Sequence, residues 1–466
     1  MNKKLNTLDA TMLVMGSMIG SGIFLVSSEV GRSINSGFWW LATWLLTSFL
    51  TITGAYAYGK LSTIFPKTGG QYIYLKEAYS PMIGFLFGWS TFLVIQTGTI
   101  AAVAVAFAKY TGLLFPQMIN EAPLIGNWIN TQQILAAGLI LGLTLINLKG
   151  IQFASLVQNI FTITKIVAIL LLIIIGIYAG LTNGWIHFGN FFKAPTTFNS
   201  VTNSFESIDT LTFISIFGAA LIGPLFSSSA WNNVTFASTD FQDPQKTIAR
   251  GLVWGSALVC LLYVLTNISY LGILPLQGNM NGLNAYDKGI MFASQDRLGS
   301  AALESMIGGI GGIVMAVLIM ISTFGCNNGI ILAGGRLFEA MALDKLFFSK
   351  AAIVNKAGVP ANSLLIQGIW AILLCFTGSY SALLDFTVFA ILLFYFLTVM
   401  ALFKNKISQN TLTLNNKILF SIYLILLSFI ALNLLIVKPV SSLIGLAIVL
   451  IGIPIYYWMK NNALKV

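Results

Sequence analysis

Charge is what this 466-residue chain has least of: Asp, Glu, Lys and Arg make up 8% of it, against 57% hydrophobic residues. A soluble domain carries roughly a quarter of its residues charged. At a mean hydropathy of +0.87, a soluble fold of this length could not hide so much apolar surface, so lipid is the solvent for most of the chain. Histidine is nearly absent, and the single His187, in a polar loop, excludes zinc motifs built on paired histidines. The three cysteines, Cys260, Cys326 and Cys375, sit far apart in apolar runs and offer neither a disulfide framework nor metal-ligand spacing. No G-x-x-x-x-G-K-[ST] stretch occurs, so ATP is not hydrolysed by this chain. Any work it does has to draw on gradients or exchange.

What is present is a series of apolar runs long enough to cross a ~30 Å hydrocarbon core. Spans are expected near residues 10–31, 38–60, 82–112, 131–148, 153–180, 211–237, 250–273, 303–335, 362–379, 382–403, 415–437 and 440–458, twelve in all. The first lacks a convincing small-x-small cleavage site and reads as a retained span. The net charge of +10 could suggest nucleic acid, but the basic residues sit in short loops between spans. Seventeen of the 24, among them Lys3, Lys4, Lys67, Lys246, Arg336 and Lys460, fall on the side that holds both termini; six fall on the other, and Lys165 lies mid-span. That asymmetry predicts cytoplasmic termini and supports an even number of crossings. Trp39, Trp40, Trp185 and Trp458 fall near span ends, as interfacial anchors do. The segments around 181–210, 274–302 and 336–361 are expected to be loops.

Two spans carry faults. The first contains Gly16-Ser17-Met18-Ile19-Gly20-Ser21-Gly22-Ile23-Phe24, where each glycine weakens the helix by about 1 kcal/mol relative to alanine. The sixth contains Gly223-Pro224 and then Ser227-Ser228-Ser229-Ala230-Trp231, and Pro224 removes a backbone donor. Unwound backbone at membrane depth is tolerated only where protein or a water-lined cavity satisfies it. Interrupted segments at matching positions of two halves are the best sequence pointer to a transporter's substrate site. An unwound Ile19–Gly22 offers free N–H groups and the positive end of a half-helix to a carboxylate. Carbonyls and hydroxyls around Phe226–Ser229 can accept from an ammonium. Together they suit the zwitterionic head of an amino acid; the bland alternative is close helix packing through small residues.

These residues also carry a resemblance. Gly16 to Phe24 is similar to the G-x-x-I-G-S-G-I-F motif of the amino acid–polyamine–organocation (APC) superfamily, and most of all to its L-amino acid transporter branch. Phe65-Pro66-Lys67-Thr68-Gly69-Gly70-Gln71-Tyr72-Ile73-Tyr74-Leu75-Lys76-Glu77-Ala78 resembles that branch's F-P-x-[ST]-G-G-x-Y-x-Y-L-[RK]-E-A loop. Leu225 to Thr235, Ile321 to Gly325 and Gly335 to Ala342 resemble its sixth span, its eighth span and the loop that follows. The resemblance implies an all-α membrane protein of twelve transmembrane helices in one transporter domain. A LeuT-type 5+5 inverted repeat (10–180 and 211–403) would be followed by two accessory helices (415–458). It implies a secondary transporter and no enzyme: sodium-independent exchange of neutral L-amino acids across the cell membrane by alternating access. The residues themselves show no motif for a cofactor, a metal or nucleic acid, and no obligate protein partner is evident in them. Ile19, Gly20, Ser21 and Gly22 would hold the substrate carboxylate, and the backbone of Phe226, Ser227 and Ser229 the amine, with Phe226 as the outer gate. The chain departs from many relatives where Ser228-Ser229-Ala230 replaces a Tyr-x-Gly pattern. It departs again where Thr239-Asp240 and Ala249 stand in place of an acidic pair and a later proline, which leaves the inner gate open.

Lys165 is the costliest residue in the membrane, roughly 2.5–3.5 kcal/mol on the lenient insertion scale. It lies about 18 Å into its helix, too deep to snorkel comfortably. In sodium-driven members of the superfamily an ion ties the first span to the eighth, and in this branch a fifth-span lysine resembles its replacement. Lys165 would then donate to carbonyls near Gly16 and to Ser322 or Thr323. A buried lysine can also carry a proton, so proton-coupled uptake stays open beside exchange. An organic cation or polyamine carrier would want acids in the pocket, and spans 1, 3, 6 and 8 have none in their interiors. Asp385 reads as an interfacial helix-start carboxylate. Gln96, Thr97 and Thr99 could line the pocket or join helices. Arg336 and Glu339 have ion-pair spacing, and Asp243-Pro244-Gln245-Lys246 reads as a turn.

Overall fold

The computed structural model describes residues 4–463 apart from 121, 126–128, 190, 378–379, 405–406 and 408–411, and leaves out the side chains of 125, 151–157, 380–386 and 462–463. In hydrocarbon every backbone N–H and C=O has to find its partner within the protein, and the chain answers with helices. Asn6 and Asp9 close a reciprocal capping box that starts α1 (Thr7–Met18), and α2 (Gly22–Ser33) follows at a 44° bend. Next come α3 (Gly37–Ile64), α4 (Gln71–Ala78), α5 (Pro81–Ser90) and, through a π-helical turn at Thr91–Ile95, α6 (Gln96–Leu114). The hairpin β1–β2 (Pro123–Ile125, Ile129–Asn130) leads to α7 (Thr131–Asn147) and α8 (Ile151–Thr182). A second hairpin, β3–β4 (Thr196–Asn199, Ser204–Ser207), precedes α9 (Thr210–Ala220) and α10 (Ile222–Ser227). Beyond them lie α11 (Pro244–Ile273), α12 (Ala285–Lys288), α13 (Leu298–Ile307), α14 (Gly309–Leu343), α15 (Ala361–Cys375), α16 (Tyr380–Ala401), α17 (Leu414–Val437) and α18 (Pro439–Ala463).

Among the described residues eight helical runs are long and apolar enough to cross a membrane, and the bent pair α1–α2 makes a ninth. Three of the twelve expected spans fall on shorter stretches: α7 with 17 residues, α15 with 15 and the described part of α16, Thr387–Ala401. Both faulted spans are broken, the sixth into α9, α10 and a 3₁₀ stretch, Trp231–Asp240.

Four expectations change. The region 336–361 is not all loop, because α14 continues to Leu343. The Asp243 turn is the start of a helix: Pro244 opens α11, as proline does at a first helical position, and Asp243 sits in the left-handed region at φ 40°. Trp40 is a core residue, not an anchor; it is fully buried, and its Nε1 donates to the Ser27 carbonyl at 2.9 Å. The stretch between the second and third spans contains a helix, α4, entered through Gly69 and Gly70 at φ 108° and 48°. At Gly70 a side chain would run into Thr235, so only glycine lets this loop lie against the broken sixth span.

Helix α11 packs on α1, α3 and α8, while α14 packs on α6 and α8. The first broken span therefore runs between α8, α11 and α14, which carry the donors that reach its freed carbonyls.

Candidate functional site

At the first break α1 ends on Met18, Ile19 turns extended at ψ 94°, and α2 restarts at Gly22. Five consecutive carbonyls lose the partners an unbroken helix would give them, and each meets a side chain from a neighbouring helix. Lys165 Nζ donates to the carbonyls of Gly16 at 2.7 Å and Ile19 at 2.8 Å. Cys326 Sγ lies 3.1 Å from the Ser17 carbonyl, and Tyr263 OH donates to Met18 at 2.9 Å. Ser322 Oγ is 3.3 Å from the carbonyls of both Ile19 and Gly20. On the far side of the break, the first N–H groups of α2 have no intrahelical acceptor by geometry, and the dipole makes that end positive.

The second break is satisfied differently. Ser227 Oγ turns back to the Gly223 carbonyl at 2.8 Å, and Ser229 sends its N–H (3.0 Å) and its hydroxyl (2.6 Å) to Phe226. Ala230 then takes φ 65°, a left-handed conformation that costs an alanine energy, before the 3₁₀ stretch begins. An outside partner here is Tyr263, whose hydroxyl also lies 3.2 Å from the Ser227 carbonyl. One phenol on α11 thus spans both breaks.

The breaks touch. A Cβ on Gly22 would sit 2.6 Å from Ser227 Cβ and 2.9 Å from Ser227 Cα, so the absence of a side chain sets their separation. Gly20 is less confined, its nearest neighbour being Cys326 Sγ at 3.1 Å. Ile19, Ser21, Phe226, Ser227 and Ser229 are all buried, as are Lys165, Ser322 and Thr323. Of the residues chosen to hold the substrate or to act as the fixed cation, the structure brings all but Thr323 to the two touching breaks. Thr323 Oγ1 is spent on its own helix, on Ile319 and Met320, because a threonine hydroxyl reaches the preceding turn readily. Lys165 likewise meets backbone carbonyls, and it joins Ser322 only through the carbonyl of Ile19 that they share. The side chain of Asp385 lies outside the described residues.

A cavity of about 400 Å³ adjoins the second break, walled by Ser229, Asn232, Gln71, Gln96, Thr99 and Tyr395. Gln96 does both things its position allowed: it faces this cavity and its Nε2 donates to the Ile330 carbonyl of α14 at 2.6 Å. Thr97 bonds its own backbone across the π turn. Another cavity, about 540 Å³, lies beyond α1 toward Leu5, Asp240 and Arg336, and Asn233 lines both. There Arg336 pairs with Glu339 at 3.0 Å and with Asp240 at 3.6 Å. The N-terminal backbone is pinned beside them, with Leu5 N–H on Asp240 O at 3.0 Å and Gln242 N–H on Leu5 O at 2.9 Å.

Sequence reading missed Tyr263, Cys326 and Asn233. For Tyr263 a signal existed, since a phenol in the middle of an apolar span needs a buried partner. Cys326 looks like any small apolar residue, and nothing in the sequence tells that its thiol meets a freed carbonyl.

Residues 5–459 match the amino acid permease family. Over 474 aligned positions the chain is 29% identical to the large neutral amino acids transporter small subunit 2 of Homo sapiens, covering 99% of this chain and 82% of that protein. It is 28% identical to the serine/threonine exchanger SteT of Bacillus subtilis, covering 99% of this chain and 98% of the exchanger. With the b(0,+)-type amino acid transporter 1 of Mus musculus it shares 26% identity over 88% of this chain and 78% of that protein.

Proposed function

The chain belongs to the amino acid permease family, and we propose that it is a secondary transporter that exchanges neutral L-amino acids across the cell membrane without sodium. The observation that carries this reading is the pair of touching breaks at Gly22 and Ser227. The substrate carboxylate sits on the N–H groups of Gly20 to Gly22, where backbone amides and the α2 dipole favour an anion; Ile19 lines the break but keeps its own N–H on the Met15 carbonyl at 2.9 Å. The amine lies toward the carbonyl side of Phe226–Ser229, where the backbone oxygens of Phe226, Ser227 and Ser229 accept from it, and Phe226 covers the substrate from outside. Lys165 serves as a fixed structural cation: its ammonium holds carbonyls of Gly16 and Ile19 that a mobile metal ion would otherwise have to collect. With that charge built in, no ion has to travel with the substrate, and the empty carrier has no external driving force to reorient productively. Polar side chains along the adjoining cavity and the likeness to a serine/threonine exchanger favour small polar substrates.

The wider architecture belongs to the same proposal. Twelve spans form one domain, with two inverted five-span halves over 10–180 and 211–403 and two further helices over 415–458, the breaks opening each half. Basic-residue asymmetry puts both termini in the cytoplasm, so Leu5, Asp240 and Arg336 close the inner end. The name of the human relative makes it a small subunit, whereas the bacterial exchanger's does not. In this chain all three cysteines are buried, so a partner subunit would have no surface thiol to bond, and the chain works without a covalent one.

The test is uptake of labelled L-serine, L-alanine and L-leucine by proteoliposomes in sodium-free buffer, empty or preloaded with unlabelled amino acid. Uptake should need preloading and ignore an imposed pH gradient. Uptake into empty vesicles only under an inward proton gradient would replace exchange by proton symport.

A further inference from the structure

The chain has a second place with the chemistry of an amino acid head group, at the start of α13 and away from both breaks. We propose that the crevice there binds a free amino acid on the outer face, ahead of the central site; this rests on the transport reading above. Ser300, in the first turn of the ten-residue α13, is 1% exposed, and its hydroxyl has no partner among the described residues. It lines a crevice of about 630 Å³ at a helix end whose N–H groups are unpaired by geometry. Arg297, the residue before the helix, lines the same crevice, as does Lys288, whose Nζ donates to Ser294 at 2.9 Å. Two positive charges, a helix dipole and an idle buried hydroxyl make one end of the crevice a carboxylate site.

The other end has the opposite sign. Glu304 follows Arg297 by seven residues, which brings it onto the same helix face about 10 Å further along, and it too lines the crevice. Leu113 and Leu283 supply apolar wall alongside. A simple anion would meet Glu304, and a simple cation would meet Lys288 and Arg297. A zwitterion with an aliphatic body satisfies both ends and the wall. Lys288 and Ser294 also line an adjoining open basin walled by Glu29 and Arg32 of α2. A solute leaving the crevice therefore moves along a polar surface toward the outer half of the first broken span.

Equilibrium binding of radiolabelled L-serine and, separately, L-leucine to the purified full chain tests this. The wild type should hold two molecules per chain, and Glu304→Gln and Ser300→Ala one each. In proteoliposomes both variants should raise the external apparent KM roughly tenfold, the loss of one charge-assisted hydrogen bond, and leave the internal KM unchanged. One molecule per chain in the wild type, with binding unaltered in both variants, would overturn the crevice and leave the central site standing. No binding to the wild type would overturn the transport reading and the crevice with it. If acetate displaces the second molecule as well as serine does, the site recognises a carboxylate alone and the proposal fails.

Discussion

The two breaks solve one problem by different means. The first frees five carbonyls in a row, Gly16 to Gly20, and borrows donors from three other helices: Lys165 of α8, Tyr263 of α11, and Ser322 and Cys326 of α14. The second is satisfied largely from within, by Ser227 and Ser229 folding onto their own turn. A break held by borrowed donors senses the positions of the helices that lend them. A break held by its own serines can move as a unit. On the transport mechanism proposed above, the first would link substrate binding to bundle rearrangement, and the second would travel with the substrate.

The contact between the breaks is the most sensitive point. Gly22→Ala drives a methyl into Ser227 backbone and should cut exchange roughly a hundredfold, for about 3 kcal/mol of overpacking. Gly20→Ala meets only a thiol that can shift and should cost far less; equal losses in uptake assays would show that the breaks are not held apart by Gly22. Next in size is Tyr263→Phe, which strips a donor from the Met18 and Ser227 carbonyls at once. Leaving buried carbonyls unpaired costs about 1–3 kcal/mol, so apparent substrate affinity should fall about tenfold, read as a rise in exchange KM. Ser229→Ala should do least, within about threefold in KM, because the turn keeps its backbone N–H on Phe226. A larger loss for Ser229→Ala than for Tyr263→Phe would reverse the contrast between borrowed and local support.

Much of this was legible in the residues. Glycine, serine and proline inside apolar runs located both breaks, although small residues also serve close helix packing in lipid. Lys165 announced itself by its cost, whereas its partners near Gly16 were what the family resemblance implied. Span boundaries failed where sequence has no sharp signal: α14 runs on through Arg336 because amphipathic residues extend a helix beyond the membrane as readily as they end it. Tyr263 and Cys326 stayed hidden for a different reason. A hydroxyl or thiol within a hydrophobic helix shows only that a partner exists, and the partner is chosen by tertiary packing between segments more than two hundred residues apart, as Tyr263 and Met18 are. Ser322 and Thr323 were both candidates and only Ser322 meets the break, for the same reason: one position of helical rotation decides which hydroxyl faces it.

The most direct measurement is exchange kinetics of Lys165→Ala against wild type in proteoliposomes, with substrate varied on each face in turn. Two charge-assisted bonds to the broken first span disappear in this variant, so apparent affinity should fall at least tenfold on one face or both, and turnover should drop. Unchanged rates and unchanged affinities on both faces would mean that the lysine does not hold the break and that the first span is not supported by borrowed donors.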